Sequence, residues 1–282
     1  MRRSAIAGCA AVLALLSGCG NDGASGDGAA PGAGGAVDVS HVHGMGVDPA
    51  DPDRVLIATH TGLVAYANGE LTKVGDLTTD LMGFTVGPDG RLFASGHPGH
   101  DEEGPMALGL ITSTDRGQTW RSVSLAGEAD FHALDAWSGG VVGYDGALGA
   151  LQVSDDAGAT WVEGASGTDA YDLAADDSAI VATTDGGPEV SRDAGRSFTA
   201  LPSAPLLQLV DFSDDGTLVG VAPDGAVHAS DDLVEWDRRG VAGRTQVQAL
   251  TTGPGDDVWV ATTESLQHST DGGATFFAVA SW

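Results

Sequence analysis

The stretch STDRGQTW, residues 113–120, recurs along the chain with the pattern S-x-D-x-G-x-[ST]-[WF]. Further copies are SDDAGATW at 154–161, SRDAGRSF at 191–198 and STDGGATF at 269–276, with a degenerate copy, SDDLVEW, at 230–236. The first serines of successive copies are 41, 37, 39 and 39 residues apart. A regular spacing of this length indicates a repeat architecture in which each copy belongs to one structural unit packed on its neighbours.

The residue types of this repeat are those of a tight turn. An aspartate can accept hydrogen bonds from backbone N–H groups, and a glycine can adopt a positive φ. The aromatic residue that follows can pack into a core. We therefore predict that the aspartates of the four intact copies cap turns and are not catalytic: Asp115, Asp156, Asp193 and Asp271.

The repeat resembles the Asp-box, also called the bacterial neuraminidase repeat, which occurs on β-propeller blades of sialidases, related glycosidases and many non-enzymatic propellers. The chain is similar to the exported, lipoprotein-type Asp-box propellers of bacteria, which are described as sialidase-like or glycosyl-hydrolase-like. The resemblance covers the whole domain and implies an all-β fold, a six-bladed β-propeller of four-stranded antiparallel blades with Asp-box turns.

The number of blades follows from the segments between the repeats. Two strand-like runs joined by a Gly/Asp-rich turn precede each copy, as in LMGFTVGPDGRLFASG at 81–96 and VQALTTGPGDDVWVATT at 247–263. The same arrangement begins at His41, before the first copy. We therefore expect six blades over residues 37–282, with a strand near the N-terminus completing the last blade.

The N-terminal 36 residues predict export and anchoring. Residues 1–18 form a signal peptide, because Arg2 and Arg3 precede an apolar run too short to span a bilayer permanently. LSGC at 16–19 matches the lipobox of bacterial lipoproteins, so we expect cleavage before Cys19 and lipidation of that cysteine. Residues 19–36 then form a flexible Gly/Ala-rich tether. The expected location is extracytoplasmic, lipid-anchored to the cell membrane.

Charge and cysteine content narrow the classes of partner. Twelve Lys and Arg residues stand against 40 Asp and Glu residues, giving a formal net charge of −28. Such a surface repels nucleic acid and favours cations or neutral ligands. The two cysteines fall in the signal peptide and at the lipidation site, so the exported domain has no thiol. We expect a metal ion, a small neutral ligand or a protein as partner, and no organic cofactor.

Aligning the blades predicts a functional site at one mouth of the propeller's central channel. We name the four strands of each blade a to d, with a innermost, beside the central channel. The start of strand a and the end of strand b of every blade should lie at one face of the propeller, because antiparallel strands reverse direction. The repeat turns, between strands c and d, should lie at the other. The aligned strand-a positions are His43, Met82, His132, Tyr171, Gln208 and Gln248. The aligned strand-b positions are His60, His97, Asp145, Asp185, Asp224 and Glu264.

Histidines concentrate at this mouth. Six of the eight histidines lie at or beside the aligned strand-a and strand-b positions. Because side chains alternate along a strand, His41 and His43 should share one side of it. Imidazole binds Zn, Cu, Fe and Ni, and the thioethers of Met45 and Met82 would favour copper, so we predict copper first and zinc second. The predicted metal ligands are His41, His43, His60, Met82, His97, His100 and His132. In the alternative, His43 and Met82 only fill the channel.

Other functions stay open from the sequence. Asp130, Asp145, Asp185 and Glu264 map near the mouth, where two carboxylates at a suitable separation could hydrolyse a neutral glycoside. Sialidase activity is disfavoured, because the chain has no RIP motif and nearly all its arginines map away from the mouth. An insertion in blade 2, HPGHDEEGPMALG at 97–109, could be a flap or an ordinary solvated loop. A protein-docking scaffold is the third alternative.

Overall fold

Six four-stranded antiparallel sheets follow one another along the chain in the computed structural model. The structure describes residues 37, 39–100, 102–243 and 245–282. It confirms the all-β, six-bladed propeller, each blade being formed by four consecutive strands. The predicted signal peptide, Cys19 and the tether lie outside the described residues. Within those residues, the chain offers no helix long and apolar enough to cross a membrane.

Each blade takes its strands in chain order from the channel outwards. Blade 1 contains β1 Val42–Asp48, β2 Asp51–Thr59, β3 Gly62–Ala67 and β4 Glu70–Val74. Blade 2 contains β5 Asp80–Val86, β6 Leu92–His97, β7 Leu110–Ser113 and β8 Arg121–Ser124. Blade 3 contains β9 Phe131–Trp137, β10 Gly140–Asp145, β11 Ala150–Ser154 and β12 Val162–Glu163.

The second half of the ring repeats this order with shorter strands. Blade 4 contains β13 Asp172–Ala175, β14 Ile180–Thr183, β15 Glu189–Ser191 and β16 Thr199–Ala200. Blade 5 contains β17 Leu209–Phe212, β18 Leu218–Val221, β19 Ala226–Ser230 and β20 Asp237–Val241. Blade 6 contains β21 Val247–Thr252, β22 Val258–Thr262, β23 Ser265–Ser269 and β24 Phe277–Ser281.

The hydrophobic core lies between neighbouring blades. Leu56 and Leu63 of blade 1, for example, are fully buried in one cluster with Leu81 and Phe84 of blade 2. Every blade therefore buries its apolar faces against two neighbours, as repeat architectures require. The same packing closes the ring, because Met45 of β1 lies in one buried cluster with Trp259 of β22.

The expectation that an N-terminal strand completes the last blade is wrong. All four strands of blade 6 come from residues 247–281, and β24 already occupies the outer position. The chain entering β1 packs instead into the apolar interface between blades 1 and 6, where Val39 is buried and Val37 is partly buried. Ring closure thus rests on apolar packing, not on strand pairing, among the described residues.

The repeated turns share one hydrogen-bonding pattern. In the first, Ser113 Oγ accepts from Gly117 N at 2.9 Å, while Asp115 accepts from Thr119 N at 2.9 Å and from Thr119 Oγ1 at 2.6 Å. Arg116 and Gly117 have φ values of 61° and 87°. Hydrogen bonds from Thr119 and Ser113 lower the pKa of Asp115 to about 2. The structure places Asp156, Asp193 and Asp271 in equivalent turns.

A β-bulge interrupts the innermost strand of four blades at the aligned mouth position. The pairing register skips His43 in β1, Met82 in β5, His132 in β9 and Gln248 in β21. A bulge leaves one residue unpaired and turns its side chain away from the regular alternation. The fold therefore directs these four positions towards the mouth by backbone geometry common to the blades.

Candidate functional site

Five of the six mouth histidines form two groups. His41, His43 and His60 make up what we name the blade 1 cluster, and His97, Asp130 and His132 make up the blade 2–3 cluster. In each group one ligand atom from every residue lies within 4.8 Å of the others. The structure thus divides the predicted single set of ligands into two sets able to hold a metal ion.

The three rings of the blade 1 cluster lie against one another. The ring centroid of His43 is 4.6 Å from that of His41 and 4.6 Å from that of His60, while His41 and His60 stack at 5.1 Å. His43 Nε2 lies 3.3 Å from His60 Nδ1. His41 immediately precedes β1, His43 is the bulge residue and His60 follows β2, so one hairpin supplies all three imidazoles.

Two residues from neighbouring blades orient these rings. Asp80 Oδ1, at the start of β5, lies 2.8 Å from His60 Nδ1 and 3.7 Å from His43 Nε2. Gln248, the bulge residue of blade 6, places its amide nitrogen 2.7 Å from His41 Nδ1. Such partners fix imidazole orientation at metal sites. The sequence prediction missed Asp80, although it lies two residues before the aligned Met82 position.

His43 of the blade 1 cluster favours the neutral imidazole. Burial, together with proximity to His41 and His60, lowers the pKa of His43 to about 4 against the opposing effect of Asp80. Three adjacent rings cannot all carry a positive charge without mutual repulsion. At neutral pH the His43 lone pair is therefore available to a metal ion, since the neutral form of histidine is the ligand.

The blade 2–3 cluster is centred on a buried carboxylate. Asp130 Oδ2 lies 2.8 Å from His132 Nε2 and 3.4 Å from His97 Nε2. His97 Nδ1 lies 2.7 Å from the carbonyl oxygen of Met106 in the blade 2 insertion. Asp130 is 8 % exposed, and its Oδ1 is buried without a hydrogen-bond partner among the described residues.

The charges of this cluster support an ionised aspartate. Burial alone would raise the pKa of Asp130, but the hydrogen bond to His132 and the nearby His97 lower it below its usual value. In return, the hydrogen bond to Asp130 raises the pKa of His132, against the effect of burial. Asp130 is therefore an ionised carboxylate between the imidazoles of His97 and His132.

The two predicted thioether ligands differ in their surroundings. Met45 is 6 % exposed and lies in the apolar cluster between blades 1 and 6, although it also lines the cavity beside His43, so its role as a metal ligand stays a prediction. Its neighbours in the register are packed aliphatic residues such as Ile57. Met82 occupies the bulge of blade 2 and is half-buried. His100 is exposed and belongs to neither group of the described chain.

Three of the predicted mouth carboxylates belong to neither cluster, although Asp145 accepts a hydrogen bond from Asp130 N at 3.4 Å and its charge helps to raise the pKa of His132. Asp145 is fully buried and accepts hydrogen bonds from Ala147 N at 2.9 Å and Gln152 Nε2 at 3.2 Å. It caps the turn after β10, so its prediction as a ligand-facing carboxylate is wrong, because its oxygens are used by that turn. Asp185 and Glu264 are exposed.

The blade 2 insertion is anchored by a carboxylate. Glu102 accepts hydrogen bonds from Thr78 N at 2.8 Å and Thr79 Oγ1 at 2.6 Å, and from the backbone of Gly99. Although burial opposes the shift, these bonds lower the pKa of Glu102 to about 2. Asp101 lies outside the described residues. The insertion thus supports His97 through the Met106 carbonyl rather than presenting Glu102 to the mouth.

The channel behind the mouth carries three further carboxylates. A cavity of about 580 Å³ is lined by His43 and His132 and also by Asp135, Asp172 and Asp211. Burial raises the pKa of Asp172 to about 7, and burial also raises the pKa values of Asp135 and Asp211. All three carboxylates are partly accessible from the channel. Both clusters border this cavity through one histidine each.

Comparisons with known proteins relate the chain to other propellers by fold. A scan against protein-family models finds no match. A search of curated proteins finds none either. Among solved structures, a GH74 enzyme from Niastella koreensis matches with a TM-score of 0.60 and 16 % identity, covering 85 % of this chain and 45 % of that one. A GH74 xyloglucanase from Xanthomonas campestris matches with a TM-score of 0.56 and 19 % identity over the same shares.

A second type of enzyme shares the fold over most of its own length. The virginiamycin B lyase from Staphylococcus aureus, in a catalytically inactive form with quinupristin, matches with a TM-score of 0.55 and 13 % identity. It covers 84 % of this chain and 83 % of that one, whereas the chain spans less than half the length of the two GH74 enzymes. At these identities the likeness shows the β-propeller fold, with glycoside hydrolases and other propeller enzymes among the neighbours.

Proposed function

We propose that this protein is a membrane-tethered, extracytoplasmic β-propeller lipoprotein that binds a transition metal at the blade 1 cluster, with copper favoured and zinc second. One observation carries the proposal: His41, His43 and His60 each offer a ligand atom within 4.8 Å of the others. Three imidazoles with an open position are a common ligand set for such ions.

The ligand chemistry favours the oxidised form of copper. With Met45 packed in the apolar cluster, the thioether argument for Cu(I) is weaker. Imidazole ligands bind Cu(II) more tightly than other divalent first-row ions, and they also suit zinc. Asp80 adds a carboxylate beside His60, which increases the attraction for a divalent cation. Copper(II) is therefore the first ion to test.

Metal retention by the purified protein tests the proposal. After treatment with a chelator and dialysis against Cu(II), elemental analysis should find at least about one ion per chain. His43→Gln and His60→Gln should each weaken binding by at least about 10-fold to 100-fold. The matched control is His268→Gln, since His268 lies outside the mouth and pairs with Asp257. Unchanged copper binding in both cluster variants would exclude this site.

The anchor is tested separately at Cys19. Mass spectrometry of the protein extracted from membranes should find acyl chains on Cys19, because the lipobox predicts lipidation there. Cys19→Ala should release the protein into the soluble fraction, since the lipid supplies the membrane affinity. An unmodified Cys19 in the membrane-bound protein would rule out this mode of anchoring.

Hydrolysis of a neutral glycan is the second candidate function, favoured by the fold likeness to GH74 enzymes. Asp130 and Asp80 are each engaged with two histidines and Asp145 with a turn. Asp185 and Glu264 are the predicted mouth carboxylates left for such chemistry. A screen of neutral aryl glycosides tests it. Turnover that Asp185→Asn or Glu264→Gln abolishes would support the glycosidase, and no turnover on any substrate would count against it.

A further inference from the structure

The strongest feature beyond the blade 1 cluster is an unusual juxtaposition at Asp130. The carbonyl oxygen of Met106 can only accept a hydrogen bond, so the proton of neutral His97 must lie on Nδ1, 2.7 Å from that oxygen. His97 Nε2 then presents a lone pair to Asp130 Oδ2 at 3.4 Å. Two acceptors facing each other repel unless a cation lies between them.

The carboxylate itself has an unused acceptor in a buried place. Asp130 is 8 % exposed, and no described residue donates to its Oδ1. Leaving a buried charged oxygen without a partner is costly, typically by more than a neutral group. Asp130 Oδ2 meanwhile accepts from His132 Nε2 at 2.8 Å. A cation bound between the Asp130 carboxylate and the His97 lone pair would compensate this buried negative charge.

The spacing of the donor atoms fits a small divalent ion. Zinc binds imidazole nitrogen and carboxylate oxygen at about 2.0–2.2 Å, so tetrahedral ligands lie about 3.4 Å apart. His97 Nε2 and Asp130 Oδ2 are separated by 3.4 Å, and the three ligand atoms of the blade 2–3 cluster lie within 4.8 Å of one another. His132 Nε2 lies closer to Oδ2, at the hydrogen-bonded distance of 2.8 Å, which a metal ion would lengthen. To coordinate through Nε2, neutral His132 transfers its proton to Nδ1.

We propose that His97, Asp130 and His132 form a second metal centre, separate from the blade 1 cluster, for a divalent ion of the zinc class. Two imidazoles and one carboxylate form a harder and more negative donor set than three imidazoles, so this centre selects zinc over Cu(I). It gives the blade 2 insertion a role, because the Met106 carbonyl fixes the His97 tautomer as outer partners do at metal sites. The inference goes beyond the blade 1 site and does not depend on copper binding there.

Zinc titration of the chelator-treated, full-length protein tests this centre. With a chromophoric chelator as competitor, the wild type should bind about two equivalents of Zn²⁺. Asp130→Asn and His97→Gln should each remove one equivalent, weakening it by at least about 100-fold, and His60→Gln should remove the other. The control is again His268→Gln, which keeps both. A thermal melt of each variant verifies that it is folded.

Cobalt provides a readout of the ligand set. Co²⁺ in place of zinc should give a visible absorption band that loses about half its intensity in His97→Gln. A proton shared between a charged His97 and Asp130 would satisfy the same atoms, but it would leave no zinc or cobalt site to remove.

The outcomes separate this inference from the proposed function. If all the cluster variants remove the same single equivalent, there is one composite site and the second centre is refuted, while metal binding stands. If Asp130→Asn and His97→Gln leave zinc binding unchanged, the second centre is refuted alone. If those two variants each lose one equivalent and His60→Gln loses none, the second centre stands and the blade 1 site fails.

Discussion

Replacing Asp172 by Asn should make the stability of the propeller less dependent on pH. Asp172 Oδ2 accepts a hydrogen bond from Val210 N of the next blade at 2.9 Å. Burial raises the pKa of Asp172 to about 7 from 3.8. Between about pH 4 and pH 7 the folded state therefore keeps a proton that the unfolded chain has lost. The free energy of unfolding falls as pH rises through this interval and is constant above it.

The magnitude follows from the size of the shift. Three pKa units at 1.36 kcal/mol each give an upper value of about 4 kcal/mol for this group. Because the side chain is partly accessible from the channel, we expect about 2–4 kcal/mol. Asn keeps one acceptor oxygen for Val210 N and cannot ionise. Relative to wild type, the variant should therefore gain this amount between about pH 4.5 and about pH 8.

Denaturant unfolding in the presence of a chelator measures the effect without any contribution from metal binding. The curves of wild type and Asp172→Asn are compared at several pH values, with Asp185→Asn as the control. Asp185 lies in the same blade but is exposed, and its replacement removes the same formal charge. Parallel pH profiles for wild type and Asp172→Asn would refute the claim that burial holds this carboxyl in its protonated form.

Three further changes address the turns, the second centre and the insertion. Ser113→Ala removes the acceptor of Gly117 N and should lower the free energy of unfolding by about 1–2 kcal/mol in a urea titration; an unchanged midpoint would contradict this. Gly146→Ala would place Cβ 3.1 Å from His132 Cε1, so we expect about 10-fold to 100-fold weaker zinc binding at the blade 2–3 cluster only, measured by chelator competition. Glu102→Gln should speed amide hydrogen exchange at Thr78 N, and equal rates would show that the anchor is dispensable.

The fold could be predicted because its signal is local and recurs. Asp and Gly at fixed offsets specify the same turn wherever they occur, and the residues between two turns have room for four strands. Ring closure could not be predicted in this way, because it depends on which of two long-range arrangements is more stable. Val39 and Trp259 are separated by most of the chain, yet they pack in one cluster and leave β24 as the outer strand.

The ring of mouth positions could also be predicted, but its geometry could not. The alternation of side chains along a strand places His41 and His43 on one side, whereas the structure brings them together through a bulge at His43. Asp80 was missed because the alignment of the blades begins strand a at Met82, two residues after Asp80. The division into two clusters depends on distances between side chains from different blades, which no spacing along the chain encodes.

The channel carboxylates show a different obstacle. In a chain with 40 Asp and Glu residues, an aspartate on an inner strand does not stand out from the others. Asp135 and Asp211 are set apart only by their surroundings: Asp135 accepts from Ala175 N at 2.7 Å and Asp211 from Thr252 N at 2.7 Å, each in the following blade. These bonds connect neighbouring inner strands, so their value to the fold lies in the assembled ring.

The repeated turns and the two proposed metal clusters thus lie at opposite faces of the propeller. The repeated turns saturate their aspartates with local donors, as at Asp115, and leave no free ligand. At the mouth, several blades share a backbone bulge at the same position, but the residue there differs: it is His43 in blade 1, His132 in blade 3 and Gln248 in blade 6. Substitutions in the turns should therefore change unfolding without changing metal affinity, and His60→Gln should do the reverse. Equal effects of Ser113→Ala on both quantities would show that the two faces are coupled.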